Sequence, residues 1–167
     1  WAGVALPRSV PKLVRGLREL GVPSEALEWH GHNDLHKVQV NGATAWLYGC
    51  SAVNTAIFGI GERTGNPPLE ALVVEHAQLK GMTEGVNYAA ITELAEYARK
   101  ELRLEIPRNY PLVGRDFNVT RAGIHADGLL KNEEIYNCFD TKKLLNREAG
   151  VAITDKTGAA GIKHWIE

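Results

Sequence analysis

Helical and extended patterns alternate through the first half of the chain, and this alternation limits the folds that it can adopt. Apolar residues recur at helical spacing in some segments, whereas short apolar runs typical of strands lie between them. The segments, in order, are 10–20, 27–34, 35–49, 51–59 and 67–79. The order helix, strand, helix, strand, helix predicts parallel βα units, and therefore an α/β fold.

The character of the sequence changes near Gly81. Residues 83–104 form the pattern of a long amphipathic helix, with Ile91, Leu94, Ala98 and Leu102 on one stripe. The remainder mixes short helical patterns with Gly-rich turns. We therefore predict a boundary near residue 82, between a βα part over 1–81 and a mainly helical part over 82–167.

Composition excludes several classes of protein. The 167 residues include 19 Lys and Arg and 20 Asp and Glu, and the net charge of −1 argues against a nucleic-acid-binding protein. No run approaches the roughly 18 apolar residues of a membrane span. Two cysteines cannot form a disulfide framework, which indicates a reducing, cytoplasmic location. The missing initiator Met and the abrupt end predict a piece of a longer chain.

Two histidines, His30 and His32, lie at the carboxyl end of the first predicted strand. Side chains two apart on a strand share a face, so both imidazoles can point at one metal ion. Ligands of parallel α/β folds bind outside these strand ends. The alternative interpretation is a pair of exposed loop histidines that form hydrogen bonds with the backbone.

A glycine-rich loop follows the second predicted strand, and it contains Gly59, Gly61 and Asn66. Its glycines permit positive φ angles and a close approach of the backbone to a ligand. Asn66 precedes a predicted helix, and its carbonyl oxygen could reach a metal ion. The alternative is a structural turn in which Asn66 caps the helix.

Two further candidates lie in the second half. His125 belongs to the segment GIHADG, and Tyr136 to EEIYNCFD. By spacing alone, His125 is typical of a surface turn and Tyr136 of a core aromatic residue.

Three segments together, WHGHND, GIGERTGN and AGIHADGLLKNEEIY, resemble the metal-dependent acyl-CoA-condensing barrels. This family includes 2-isopropylmalate synthase, homocitrate synthase and the (R)-type citrate synthases, and the resemblance covers essentially the whole chain. It implies that 1–81 supplies about the seventh and eighth strands of a (β/α)8 TIM barrel. Helical linker subdomains would follow.

The resemblance also implies roles for individual residues. His30 and His32 match metal ligands, and Asn66 matches an asparagine in or beside the metal shell; the ion would be Zn²⁺, Mn²⁺ or Mg²⁺. Gly59 and Gly61 match glycines that face acetyl-CoA, the expected co-substrate.

For the second half, the resemblance implies that His125 and Tyr136 assist proton transfer. His125 would enter the active site of a neighbouring subunit, so we expect a homodimer with shared active sites.

The implied activity is a metal-assisted Claisen-type condensation of acetyl-CoA with a 2-oxo acid, with release of CoA. The acceptor stays open among oxaloacetate, 2-oxoisovalerate and 2-oxoglutarate. Residues that the family places on earlier strands have no counterpart here, so we expect the chain to be inactive alone. Two alternatives are a metal-dependent barrel lyase or aldolase, and a non-catalytic dimerisation fragment.

Overall fold

A computed structural model describes residues 3–121, 128–129, 132, 137–155, 157–158, 162 and 166. The chain divides into two compact units, Trp1–Gly85 and Val86–Glu167. None of the helices within the described residues is long and apolar enough to cross a membrane.

The first unit alternates helices and strands in the predicted order. Its elements are α1 (Val10–Glu19), β1 (Glu28–Trp29), α2 (Val38–Tyr48), β2 (Ala52–Val53) and α3 (Leu69–Lys80). The strands are parallel, and Trp29 pairs with Val53. This parallel pairing agrees with the βα arrangement that the sequence predicts.

Helix α1 packs its apolar face against the two strands and α2. Val10 and Val14, four residues apart on one face, are almost completely buried. The core cluster consists of Val10, Val14, Leu27, Trp29, Ala45 and Cys50. Each large apolar side chain buried here contributes about 1.5–3 kcal/mol. Ser9 occupies the N-cap position of α1, but its side chain makes no capping hydrogen bond within the described residues.

Both strands are shorter than the sequence predicts. Only two residues of each predicted strand enter the ladder. The chain leaves it before His30 in the first case. In the second, Ile57–Gly59 forms a 3₁₀ turn in which Phe58 adopts a left-handed φ of 56°. Phe58 is partly buried in this turn, so its side chain produces the same apolar pattern in the sequence as a strand residue would.

The second unit contains more sheet than we predicted. Its elements are α4 (Ala90–Lys100), β3 (Val119–Thr120), α5 (Thr141–Leu145) and β4 (Gly150–Val151). The two strands are parallel, and Val119 pairs with Gly150. A pair of two-residue strands separated by a long connection leaves no period-2 pattern, which explains why the sequence did not reveal it.

Helix α4 differs from the predicted helix in length and in its buried face. The buried residues are Ile91, Ala95 and Ala98, which follow the spacing i, i+4, i+7. Leu94 and Leu102 are 43% and 65% exposed, so the predicted stripe was wrong in these two members. Leu102 also lies beyond the end of the helix.

Candidate functional site

The imidazoles of His30 and His32 meet just after β1. Their Nε2 atoms lie 3.3 Å apart. The ring centroids are 5.0 Å apart, and the ring planes are nearly perpendicular at 81°. The structure thus brings together the two side chains that the H-x-H spacing selects.

The other ring nitrogens of the two histidines differ in their surroundings. His30 Nδ1 lies 3.0 Å from Oδ1 of Asn54, which directly follows β2. His32 Nδ1 is buried and has no hydrogen-bond partner among the described residues. His32, Trp29 and Asn41 surround a gap that is too small for a water molecule. The His30 ring therefore contacts a polar group through its Nδ1 atom, whereas the Nδ1 atom of His32 is enclosed by packed side chains.

The glycine-rich loop folds back on itself through main-chain hydrogen bonds. The Asn66 N–H donates to the Gly59 carbonyl over 3.0 Å. Gly59 and Gly65 have φ angles of +67° and +90°. A Cβ on Gly65 would lie only 2.0 Å from the Gly59 oxygen. The backbone conformation and this close approach both require glycine at position 65.

Hydrogen bonds tie this loop to the histidine segment. The Asn33 N–H donates to the Gly65 carbonyl over 3.0 Å. The Asn66 Nδ2 donates to the Gly31 carbonyl, between the two histidines, over 2.9 Å. The two segments that were singled out in the sequence therefore form one continuous surface at the carboxyl ends of β1 and β2.

The Asn66 carboxamide donates a hydrogen bond to the Gly31 carbonyl, on the main chain between the two histidines. The remaining oxygen of its carboxamide lies against Gly61, where a Cβ would be 2.0 Å from Oδ1. The alternative that Asn66 caps the following helix was wrong, since Pro68 occupies the N-cap position of α3.

Two carboxyl groups near the site have shifted pKa values. The Gly3 N–H, 2.9 Å from Asp34 Oδ2, and the Arg63 guanidinium lower the pKa of Asp34. Burial raises the pKa of Glu70, which lies in the first turn of α3. Glu70 Oε2 accepts a hydrogen bond from the Phe58 N–H over 3.0 Å. This contact anchors the start of the glycine-rich loop to α3.

The histidine pair fits a divalent metal ion. Two nitrogens that each lie about 2.0–2.1 Å from one ion are about 2.8–3.4 Å apart for ligand angles of about 90–110°. The observed Nε2 separation of 3.3 Å falls within this range. Within the described residues, no group of three or more His, Cys, Asp or Glu side chains could hold a metal ion. The described residues thus supply two imidazole nitrogens at a spacing compatible with one shared ion.

Two predicted site residues, His125 and Tyr136, lie outside the described residues. Conversely, the sequence did not single out Asn54, the ion pair of Asp34 with Arg63, or Glu70. Asn54 carried no local signal, because it lies inside the predicted segment 51–59 and ends the strand only in the structure. Glu70 carried no signal, since a glutamate in the first turn of a helix is usually exposed.

Comparisons with known proteins match both halves of the chain. The family model HMGL-like matches residues 2–97. The chain is 56% identical over 167 residues to a citrate (Re)-synthase of Syntrophus aciditrophicus, with 99% of this chain and 27% of that protein covered. A citrate (Re)-synthase of Clostridium kluyveri is 57% identical, with 99% and 37% covered. The homocitrate synthase AksA of Methanothermobacter thermautotrophicus is 30% identical, with 99% and 41% covered.

The chain thus spans between about a quarter and two fifths of the length of these relatives. The family model covers more than half of the chain, including β1, β2 and both segments of the candidate site. The chain belongs to the HMGL-like family.

Proposed function

We propose that this chain is part of an acyltransferase that condenses acetyl-CoA with a 2-oxo acid in a metal-assisted, Claisen-type reaction, after which water hydrolyses the thioester and CoA is released. The observation that carries the proposal is the pair of His30 and His32 Nε2 atoms, 3.3 Å apart. Two relatives are named citrate (Re)-synthase, which favours oxaloacetate as the acceptor. 2-Isopropylmalate synthase and homocitrate synthase activities are the alternatives within the same reaction class.

In this proposal, His30 and His32 hold a divalent cation, Zn²⁺, Mn²⁺ or Mg²⁺. A bound cation of this kind supplies Lewis-acid polarisation of the 2-oxo acid carbonyl. Asn66 contributes by holding the Gly31 carbonyl over 2.9 Å, and thereby fixes the backbone between the two ligands. A fixed backbone keeps both imidazoles in one geometry and lowers the entropy lost when the ion binds.

The glycine-rich loop is the proposed contact with acetyl-CoA. Gly59 and Gly61 lack side chains at positions where the backbone would approach the acyl-CoA. The space beside Gly61 is already filled by the Asn66 carboxamide. A larger residue at 61 would therefore displace Asn66 and disturb the histidine segment together with the acyl-CoA contact.

The second half contributes the proton-transfer groups in this proposal. His125 and Tyr136 would protonate the alkoxide formed in the condensation, with His125 acting in the active site of a neighbouring subunit. Residues 1–81 would form about the seventh and eighth βα units of a TIM barrel, and residues 82–167 the linker subdomains. The enzyme would be a cytoplasmic homodimer.

The proposal is tested by metal binding and turnover. We expect the chain to bind Co²⁺, a spectroscopic substitute for Zn²⁺, and we expect His30→Ala to weaken that binding. The neighbouring His36→Ala serves as the control, because His36 is exposed and follows the same segment. Unchanged Co²⁺ binding in His30→Ala would contradict the ligand assignment.

Turnover is measured as thiol release from acetyl-CoA by the protein that contains this chain, with each of the three candidate 2-oxo acids. Thiol release that depends on oxaloacetate would support the proposal. Cleavage of a carbon–carbon bond without thiol release would support a metal-dependent lyase or aldolase. An absence of both metal binding and turnover would favour a non-catalytic dimerisation fragment.

A further inference from the structure

We infer that Asn54 is a positioning residue that fixes the tautomer of His30. It holds the proton on Nδ1 and leaves the lone pair of Nε2 directed towards the point that His32 Nε2 also faces. The inference deepens the proposed function, and only its consequence for metal binding rests on that function.

The chemistry of the contact determines where the proton lies. Asn54 Oδ1 is a carbonyl oxygen, which can only accept, and it lies 3.0 Å from His30 Nδ1. Nδ1 must therefore carry a proton to make this hydrogen bond. Because a neutral imidazole has one ring proton, Nε2 is then unprotonated and able to bind a cation.

The sheet register holds Asn54 in this place. The Asn54 N–H donates to the Trp29 carbonyl over 2.7 Å. Since Trp29 pairs with Val53, this bond continues the parallel ladder by one step beyond the strands. Asn54 is thus fixed through its main chain to the residue that precedes His30. Its side chain then reaches the imidazole at little further cost in entropy.

His32 provides an internal comparison. Its Nδ1 is buried without a hydrogen-bond partner among the described residues, so no comparable group there selects its tautomer. In the absence of a cation, the 3.3 Å contact between the Nε2 atoms can be a hydrogen bond only if His32 donates. Of the two imidazoles, His30 is therefore the one whose tautomer the fold fixes, with Nε2 left unprotonated for a metal ion.

The tautomer can be measured directly by ¹⁵N NMR of the metal-free chain, since the shifts of the two ring nitrogens show which of them carries the proton. We expect the ring nitrogens of wild-type His30 to show the Nδ1–H form. Asn54→Leu should lose the Nδ1–H form of His30. Asn54→Asp should keep this form, because a carboxylate oxygen also accepts a hydrogen bond from Nδ1. Asn109→Leu, at an exposed asparagine of the second unit, should leave it unchanged. An Nε2–H form of His30 in the wild type would overturn the inference without need of any variant.

Co²⁺ titration separates this inference from the proposed function. Loss of a group that orients a ligand histidine typically lowers metal affinity 10–100-fold, so we expect roughly that loss in Asn54→Leu and near-wild-type affinity in Asn54→Asp. If the wild-type chain binds Co²⁺ and Asn54→Leu has the same His30 tautomer and the same Co²⁺ affinity, the role of Asn54 is overturned and the metal site is not. A wild-type chain with the Nδ1–H form but without Co²⁺ binding would contradict the proposed metal site and leave the tautomer assignment supported.

Discussion

The Nε atom of Arg63 lies 3.3 Å from the Asp34 carboxylate, and this ion pair links the glycine-rich loop to the histidine segment. The Asp34 carboxylate also accepts the Gly3 N–H, so the segment before α1 joins the same contact. Three stretches of chain that are distant in sequence therefore meet at one carboxylate, immediately beside the candidate metal ligands.

We expect Asp34→Asn to destabilise the chain in a pH-dependent manner. The Gly3 N–H and Arg63 hold the folded-state pKa of Asp34 below its ordinary value of 3.8. The carboxylate therefore stabilises the fold above that value, and its contribution is lost as the pH falls through the folded-state pKa. The urea midpoint of Asp34→Asn should lie below that of the wild type at neutral pH, and the difference should vanish in acid. Glu84→Gln, at an exposed carboxyl group, is the control; a difference that does not depend on pH would contradict the linkage.

Gly65→Ala should be strongly destabilising, because it combines a φ of +90° with a Cβ only 2.0 Å from the Gly59 oxygen. We expect a loss of more than about 1 kcal/mol in the free energy of unfolding, measured by urea denaturation. Gly16→Ala is the matched control, since it lies inside α1 with nothing within 4 Å of its Cβ position. That substitution should stabilise by about 0.5–1 kcal/mol. Equal effects of the two changes would show that the loop conformation is not as described.

Glu70→Gln should flatten the pH dependence of stability. Burial raises the pKa of Glu70 above its ordinary 4.5, so the folded state holds this proton more tightly than the unfolded state. The resulting stability is complete below 4.5 and is lost as the pH rises through the folded-state pKa. The neutral Gln side chain keeps an acceptor for the Phe58 N–H at every pH. Thermal unfolding between about pH 4 and pH 7 should therefore show a smaller fall in Tm for the variant than for the wild type.

Glu70→Leu distinguishes charge from hydrogen bonding. It removes an acceptor of the Phe58 N–H, and relative to Glu70→Gln, which is equally uncharged, we expect a loss of about 1–3 kcal/mol at every pH. If the Tm of Glu70→Gln and the Tm of the wild type fall equally with pH, the raised pKa of the buried carboxyl group is contradicted.

Asn118→Ala should destabilise the second unit. Asn118 is 6% exposed, and its Nδ2 lies 2.8 Å from the Glu148 carbonyl and 3.3 Å from Thr141 Oγ1. Its buried carboxamide joins the chain before β3 to the chain before β4, so we expect loss of these hydrogen bonds to lower the free energy of unfolding by about 1–3 kcal/mol. Hydrogen exchange of the Ala152 amide, which donates to the Thr120 carbonyl, reports on this pair of strands. Asn109→Ala should leave both stability and exchange unchanged.

The sequence predicted those features that depend on local spacing. Val10 and Val14 repeat at helical spacing, so α1 could be recognised without knowledge of its partners. The two-residue spacing of His30 and His32 likewise predicted imidazoles that meet. Glycine-rich composition correctly indicated left-handed backbone in the loop, at Gly59 and Gly65.

Features that depend on long-range pairing could not be predicted in this way. Asn54 differs in nothing local from any asparagine after a strand, and it gains its partner only through the register of β1 with β2. The strands β3 and β4 could not be predicted either, since each is only two residues long and is recognised by its hydrogen-bonded pairing with the other. Glu70 illustrates a third reason, because tertiary packing buried a residue type that is usually solvated.

The bond from the Asn54 N–H to the Trp29 carbonyl also has an evolutionary consequence. The distance between His30 and Asn54 is set across the ladder and does not depend on the number of residues along the chain between them. Descendants of this protein can therefore gain or lose residues in the exposed turn around Leu35 and His36 and retain the pairing. A one-residue deletion between Trp29 and His32 would instead remove the two-residue spacing at which the imidazoles meet, so the two regions should tolerate insertions and deletions very differently.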